Sequence, residues 1–265
     1  MLYTHSYGNP LRPHIVFLHG FLGTSEDFIP IMEQLKDDYF CTAIDLPGHG
    51  KSPTSHDPLK LIARCMQKLT RPIDAIAGYS MGGRIALHYS LQFNIKKQIL
   101  FSAHTGLSPN KLKEQIANEN YWLNALKTLP IKDFIKLWYQ QPLFYSLRNR
   151  DDLFATVLKK RLQQDSLGIY SMYSCFLLSE QKAHDAMKIP TLLVYGELDG
   201  KYRDLYEGWR SKVAVEKIPY AGHAVHIENP IGCARLIDTF LQKENAYDNT
   251  MAASCRLQRY PVSQS

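Results

Sequence analysis

The stretch Ile73-Asp74-Ala75-Ile76-Ala77-Gly78-Tyr79-Ser80-Met81-Gly82-Gly83-Arg84 decides how this chain reads. Ile73–Ala77 is a short apolar run of the kind that fills a buried strand. Arg84–Gln92 has helical spacing and follows almost at once. Only a sharp strand-to-helix turn fits between them, and Gly78-Tyr79-Ser80-Met81-Gly82 supplies it as a G-x-S-x-G match. Such a turn forces its serine into a strained backbone conformation. Glycine two residues before and two after relieves crowding, because a Cβ at either place clashes across the turn. Ser80 then stands at a helix N-terminus, where the helix dipole favours developing negative charge.

The flanks repeat the strand–helix rhythm. His14–His19 reads as a buried strand that runs into the loop Gly20-Phe21-Leu22-Gly23. Ser25 is a candidate N-cap for a helix over Asp27–Leu35. Tyr39–Ile44 is a strand ending in the glycine-rich loop Asp45-Leu46-Pro47-Gly48-His49-Gly50, Asp57–Leu69 a helix, and Gln98–Phe101 a strand. The rhythm stops over residues 108–187, which are helical in spacing. It resumes from Pro190 with strand Thr191–Tyr195, helix Tyr202–Ser211, strand Val213–Ile218 and helix Pro230–Gln242. Short apolar strands alternating with helices predict an α/β fold with a mostly parallel sheet covered on both faces. The predicted organisation is a core of residues 1–102 and 190–244, an inserted helical cap at 103–189, and an irregular tail at 245–265.

A serine on such a turn needs a base and an acid. The expected chain order for an α/β-hydrolase fold is nucleophile, acid, histidine. Asp199 and His223 each follow a predicted strand, 119 residues after Ser80 and a further 24 residues on. Both therefore fall at the sheet edge where ligands bind. Asp199 would hold the imidazole of His223 in one tautomer, and the imidazole would accept the Ser80 proton. Glu197 is the rival acid and His226 the rival base, while Asp204 falls inside the next helix. Backbone N–H groups of Phe21 and Met81 are the expected oxyanion hole. His19 and His49 read as loop-shaping groups bonded to nearby backbone.

Composition narrows the partners. The 265 residues carry 31 Lys+Arg and 25 Asp+Glu, a net +6 with histidine neutral. Without a basic tract interleaved with aromatics, this mild excess disfavours a nucleic-acid partner. Residues 103–189 hold 12 basic and 8 acidic groups, most of the imbalance. An anionic small-molecule substrate fits that distribution. Five scattered cysteines without a C-x-x-C pair argue against a disulfide framework or structural zinc, and suit a reducing cytoplasm. The N-terminus has no signal-peptide pattern, and no apolar run approaches the roughly 18 residues of a membrane span. The sequence shows no clustered metal ligands and no phosphate-binding glycine fingerprint, so no metal or cofactor is expected.

Several segments together carry a resemblance. They are Phe17-Leu18-His19-Gly20-Phe21-Leu22-Gly23, Asp45-Leu46-Pro47-Gly48-His49-Gly50-Lys51-Ser52, Gly78–Arg84, Trp138-Tyr139-Gln140-Gln141-Pro142-Leu143-Phe144, Gly196–Tyr202 and Ala221–Pro230. From about residue 14 to residue 242, the chain resembles the 2-succinyl-6-hydroxy-2,4-cyclohexadiene-1-carboxylate synthases of menaquinone biosynthesis. The resemblance implies a lyase on a hydrolase fold that eliminates pyruvate without an acyl-enzyme. It also implies substrate contacts at Tyr79, Arg84, Trp138 and Arg161. One departure is the first cap helix, where the family usually has a further arginine. Gln115 stands near that place here, with Lys111 and Lys113 nearby. A serine hydrolase using the same triad as a nucleophile, on a carboxylic ester or a carbon–carbon bond, is the other reading.

Overall fold

The computed structural model describes residues 1–69, 71–90, 92–181 and 187–243. Five short strands, each buried along most or all of its length, build the centre of one sheet. They are β2 (His14–Leu18), β3 (Phe40–Ile44), β4 (Ala75–Tyr79), β5 (Lys97–Phe101) and β6 (Thr191–Gly196). Alternate side chains leave opposite faces. Ile15, Phe17, Ala75, Ala77, Ile99 and Phe101 enter one apolar cluster, and Val16, Leu18, Ile76 and Leu100 enter the other. That is the arrangement of a sheet sandwiched between helices.

The strand order is β1-β3-β2-β4-β5-β6-β7, with β1 (Thr4–Tyr7) and β7 (Ala214–Ile218) at the edges. Every pairing is parallel except β1 with β3. The register puts Gly78 beside Leu18 and Leu100, so the ends of β2, β4 and β5 meet at one edge. Loops after parallel strands share that edge, which is why Phe21, Ser80, Asp199 and His223 can converge.

Helices α1 (Ile29–Leu35), α2 (Pro58–Gln67), α3 (Met81–Tyr89), α9 (Gly200–Glu207) and α11 (Pro230–Gln242) belong to the strand–helix rhythm. Between β5 and β6 lie α4 (Leu112–Thr128), α5 (Ile131–Tyr139), α6 (Tyr145–Arg148), α7 (Asp151–Arg161) and α8 (Ser166–Cys175). Their apolar residues Trp122, Phe134, Tyr139 and Ile169, with Phe144 of the intervening 3-10 turn Pro142–Phe144, join the same cluster as the sheet. The inserted helices are therefore packed onto the sheet's core and not around a core of their own.

Three details differ from the expectations above. The helix expected over Asp27–Leu35 begins as a 3-10 turn, Ser25–Phe28, with Thr24 instead of Ser25 at the N-cap position, and becomes α-helical at Ile29. Asp27 is engaged elsewhere, accepting the Thr24 N–H and an arginine, and Pro30 occupies the first helical turn. The helix expected from Tyr202 starts at Gly200, because the Asp199 carboxylate caps it by accepting the Tyr202 N–H. Edge strand β1 and the one-turn helix α10 (Val225–Glu228) add elements that apolar runs do not reveal. The expected tail at 245–265 lies outside the described residues.

Candidate active site

Ser80 closes β4 and starts α3, with φ +50° and ψ −111°. That left-handed conformation is strained for serine and holds because the neighbours permit nothing else. The Ser80 N–H donates to the Phe101 carbonyl at 2.9 Å. A Cβ at Gly78 would collide with the backbone of Gly82, and one at Gly82 with the backbone of Leu18 and His19. Both glycines are thus required by close approach of backbone.

Asp199 Oδ2 lies 3.0 Å from His223 Nδ1, and both residues are buried. The carboxylate is anchored on its other oxygen by the Tyr202 N–H at 3.2 Å. The imidazole is packed between Tyr202, at 5.0 Å between ring centroids, and Tyr79, at 5.2 Å. His223 and Ser80 line one cavity together. The rivals are accounted for. Glu197 is surface-lying and bonds Lys217 Nζ at 2.8 Å and the Tyr220 N–H at 3.3 Å. Asp204 pairs with Arg203 on exposed helix. His226 is fully buried against Tyr79, with centroids 4.1 Å apart, and burial pushes its pKa down to about 3. It is not among the residues lining the cavity.

The loop after β2 is braced by two buried histidines. His19 Nδ1 donates to the Gly20 carbonyl at 2.8 Å, and its Nε2 accepts the Leu46 N–H at 2.9 Å. His49 Nε2 accepts the Leu22 N–H at 3.3 Å. Burial lowers the pKa of both rings, that of His49 to about 3, so they serve as neutral struts. Phe21, on this loop, lines the cavity beside Ser80. Met81 is the first residue of α3, and its N–H is one of the helix's free N-terminal donors.

The inserted helices roof the cavity with Trp138, Tyr139, Leu143 and Phe144. Trp138 meets Phe21 edge-on at 4.7 Å, and Phe144 meets His223 at 5.9 Å. Arg161, at the end of α7, lines the same cavity and is only 3% exposed in its side chain. Its Nη2 bonds Asp27 Oδ2 at 2.6 Å and its Nε donates to the Tyr139 hydroxyl at 3.1 Å. Burial alone would push the Asp27 pKa up. The adjoining guanidinium outweighs burial and holds the carboxyl below its usual range. Burial correspondingly works against the arginine's charge, and Asp27 and Tyr139 reverse that.

Arg84 is placed differently. It is not among the lining residues of this cavity. Its guanidinium lies over the Phe176 ring at 5.0 Å, and its Nη1 is buried without a hydrogen-bond partner. Among the described residues, no carboxylate comes within ion-pair distance of it. Gln115 donates to Glu119 at 2.9 Å.

An alpha/beta hydrolase family model matches residues 15–236. The chain is 32% identical over 260 residues to the chloroplastic protein PHYLLO of Arabidopsis thaliana, covering 86% of this chain but only 15% of that protein. It is 31% identical to the 2-succinyl-6-hydroxy-2,4-cyclohexadiene-1-carboxylate synthase of Enterobacter sp. strain 638, covering 89% of this chain and 94% of that one. The chain belongs to the 2-succinyl-6-hydroxy-2,4-cyclohexadiene-1-carboxylate synthase family. The structure of MenH from S. aureus superposes on it with a TM-score of 0.82 at 26% identity, covering 92% of this chain and 99% of that one.

Two further acidic groups build the site in this family member, and neither drew attention in the sequence. Glu228 Oε2 accepts the Gly222 N–H at 3.0 Å and the Ser146 hydroxyl at 2.7 Å. Its Oε1 accepts the Ala224 N–H at 3.2 Å. It thus brackets His223 on both sides and fastens that loop to α6. The available signal is a glutamate five residues after the histidine in Ala221–Pro230. Asp27 is the other, and nothing in its local sequence announces a partner 134 residues away.

Proposed function

We propose that this chain eliminates pyruvate from 2-succinyl-5-enolpyruvyl-6-hydroxy-3-cyclohexene-1-carboxylate to give 2-succinyl-6-hydroxy-2,4-cyclohexadiene-1-carboxylate, a step of menaquinone biosynthesis. One juxtaposition carries the reading. A strained serine, a histidine bonded to a buried aspartate and a buried arginine surround one cavity under an aromatic roof. The name of the relative at 31% identity, a 2-succinyl-6-hydroxy-2,4-cyclohexadiene-1-carboxylate synthase, agrees with it.

In this reading Ser80, Asp199 and His223 form the triad, and it works as a base. His223 takes the Ser80 proton, and the serine oxygen removes a ring proton next to the succinyl carbonyl. Negative charge gathers on that carbonyl oxygen, which rests on the N–H groups of Phe21 and Met81. The electron pair moves through the ring and breaks the carbon–oxygen bond to the enolpyruvyl group. His223 returns its proton to the departing enolate, which leaves as pyruvate. No acyl-enzyme forms.

The substrate carries several carboxylates. Arg161 would bind one of them from the roof, and Arg84, whose orphaned nitrogen needs an acceptor, another. Tyr79 and Trp138 would pack against the ring. Helices α4–α8 would act as a lid, within a cap spanning residues 103–189 on a core of 1–102 and 190–244. Free cysteines at 41, 65, 175 and 233 suit a cytoplasmic setting, and among the described residues no helix can cross a membrane.

The test follows pyruvate by a coupled dehydrogenase while the pathway intermediate is supplied. Acceleration over spontaneous elimination supports the lyase. Its absence, together with burst turnover of nitrophenyl esters and fluorophosphonate labelling at Ser80, would establish the hydrolase reading instead.

A further inference from the structure

A carboxylate lines the cavity of a site proposed to take a polycarboxylate. Asp27 lines it with a side chain only 5% exposed. Its Oδ2 accepts two donors, Arg161 Nη2 at 2.6 Å and the Thr24 N–H at 3.1 Å. Thr24 ends the same loop that carries Phe21. Arg161 Nε is held separately by the Tyr139 hydroxyl at 3.1 Å. The guanidinium is therefore gripped along two edges, one from the sheet's loop and one from an inserted helix. Its third nitrogen, Nη1, is buried and has no acceptor. A buried donor without a partner is an unmet demand for a hydrogen-bond acceptor. Burial keeps the nearby His19 and His226 rings neutral, so they add no positive charge beside Arg161.

We propose that Asp27 is the positioning residue of an anion clamp. It fixes the Arg161 guanidinium against the Gly20–Thr24 loop, so that Nη1 meets one carboxylate of a succinyl-type ligand. The proposal rests on the lyase reading for the identity of the substrate, and on the geometry alone for the class of group bound. A role as a mere counter-charge makes the opposite prediction. Removing that charge would then strengthen anion binding.

Succinate is the probe, titrated into the full-length chain and followed by tryptophan fluorescence, since Trp138 lines the cavity. Arg161→Met should weaken binding about tenfold or more, and Asp27→Asn roughly fivefold to tenfold. Asp27→Asn added to Arg161→Met should change affinity less than about twofold, because the aspartate acts through the arginine. Tyr139→Phe releases the other edge of the guanidinium and should weaken binding about threefold, which keeps the test sharp if Asp27→Asn does not fold. With the synthase substrate, Asp27→Asn should raise KM more than it lowers kcat.

Wild type failing to bind succinate overturns the clamp. So does unchanged or tighter binding in Asp27→Asn or Tyr139→Phe. An equal loss from Asp27→Asn with and without Arg161 overturns it too. If wild type binds succinate but releases no pyruvate, the lyase reading fails and the clamp stands.

Discussion

Glu228→Gln tests how the histidine loop is held. The carboxylate accepts three hydrogen bonds, from Gly222 N–H, Ala224 N–H and Ser146 Oγ–H. An amide has one acceptor oxygen and one NH2. Its oxygen does best at the Oε2 place, where it keeps Gly222 and Ser146. The NH2 then faces the Ala224 N–H, donor against donor. Stranding one buried amide costs about 1–3 kcal/mol, and turning two charge-assisted bonds into neutral ones costs about 1 kcal/mol each. Relief of carboxylate desolvation offsets part of this, leaving about 2–4 kcal/mol of lost stability. Glu228 brackets His223, so the loop carrying the imidazole shifts with it. A displacement near 1 Å is expected to lower kcat on the order of 100-fold, with KM little changed. Urea unfolding gives the first number and pyruvate release the second. A Glu228→Gln variant within about 0.5 kcal/mol of wild type and with wild-type kcat would refute the assignment.

Other perturbations follow from the same geometry. Ser80→Ala and His223→Ala should each lower kcat by several orders of magnitude while binding survives, read by single-turnover kinetics and substrate titration. Gly78→Ala places a methyl against the Gly82 backbone and should abolish soluble folded protein, read by circular dichroism after expression. Acid should destabilise the chain early. His49 and His226 have folded pKa values near 3, below their unfolded value, so the unfolded state binds more protons as pH falls below about 6.5. Two such groups remove about 2–3 kcal/mol between pH 6 and pH 5. The Asp27 contribution persists until the pH falls below about 4, because its folded pKa is depressed. A urea midpoint that stays flat from pH 7 to pH 5 would show that these rings are not buried neutral.

The backbone of the site was legible because its constraints are local. The turn at Ser80 needs glycine at 78 and 82, an apolar run before it and a helix after it, and all of these sit within about a dozen residues of sequence. The order of Asp199 and His223 follows from the strands that precede them. Glu197 and His226 stand within three residues of them in the sequence and are their rivals there. Only side-chain partners separate them: Glu197 is spent on Lys217, and His226 is walled in by Tyr79 and Phe28. Of the roof residues Trp138, Tyr139, Leu143 and Phe144, which share one segment, the resemblance implies only Trp138 as a contact. Arg161 could equally have been a solvated lid residue, because its partner Asp27 is remote in sequence. Strand β1 was missed because Thr4–Tyr7 is polar and partly exposed on an edge, where no apolar alternation is needed. Arg84, which the resemblance implies as a substrate contact, has its guanidinium over Phe176 and its Nη1 unpartnered, a placement that nothing in its local sequence announces.

Ser80 is proposed to serve elimination. Pyruvate formation from the enolpyruvyl substrate, compared between wild type and Ser80→Ala at saturating substrate, tests it most directly. Wild type should release pyruvate rapidly, and the variant should fall to the spontaneous rate. Wild type no faster than the spontaneous reaction, or a variant as fast as wild type, would contradict it.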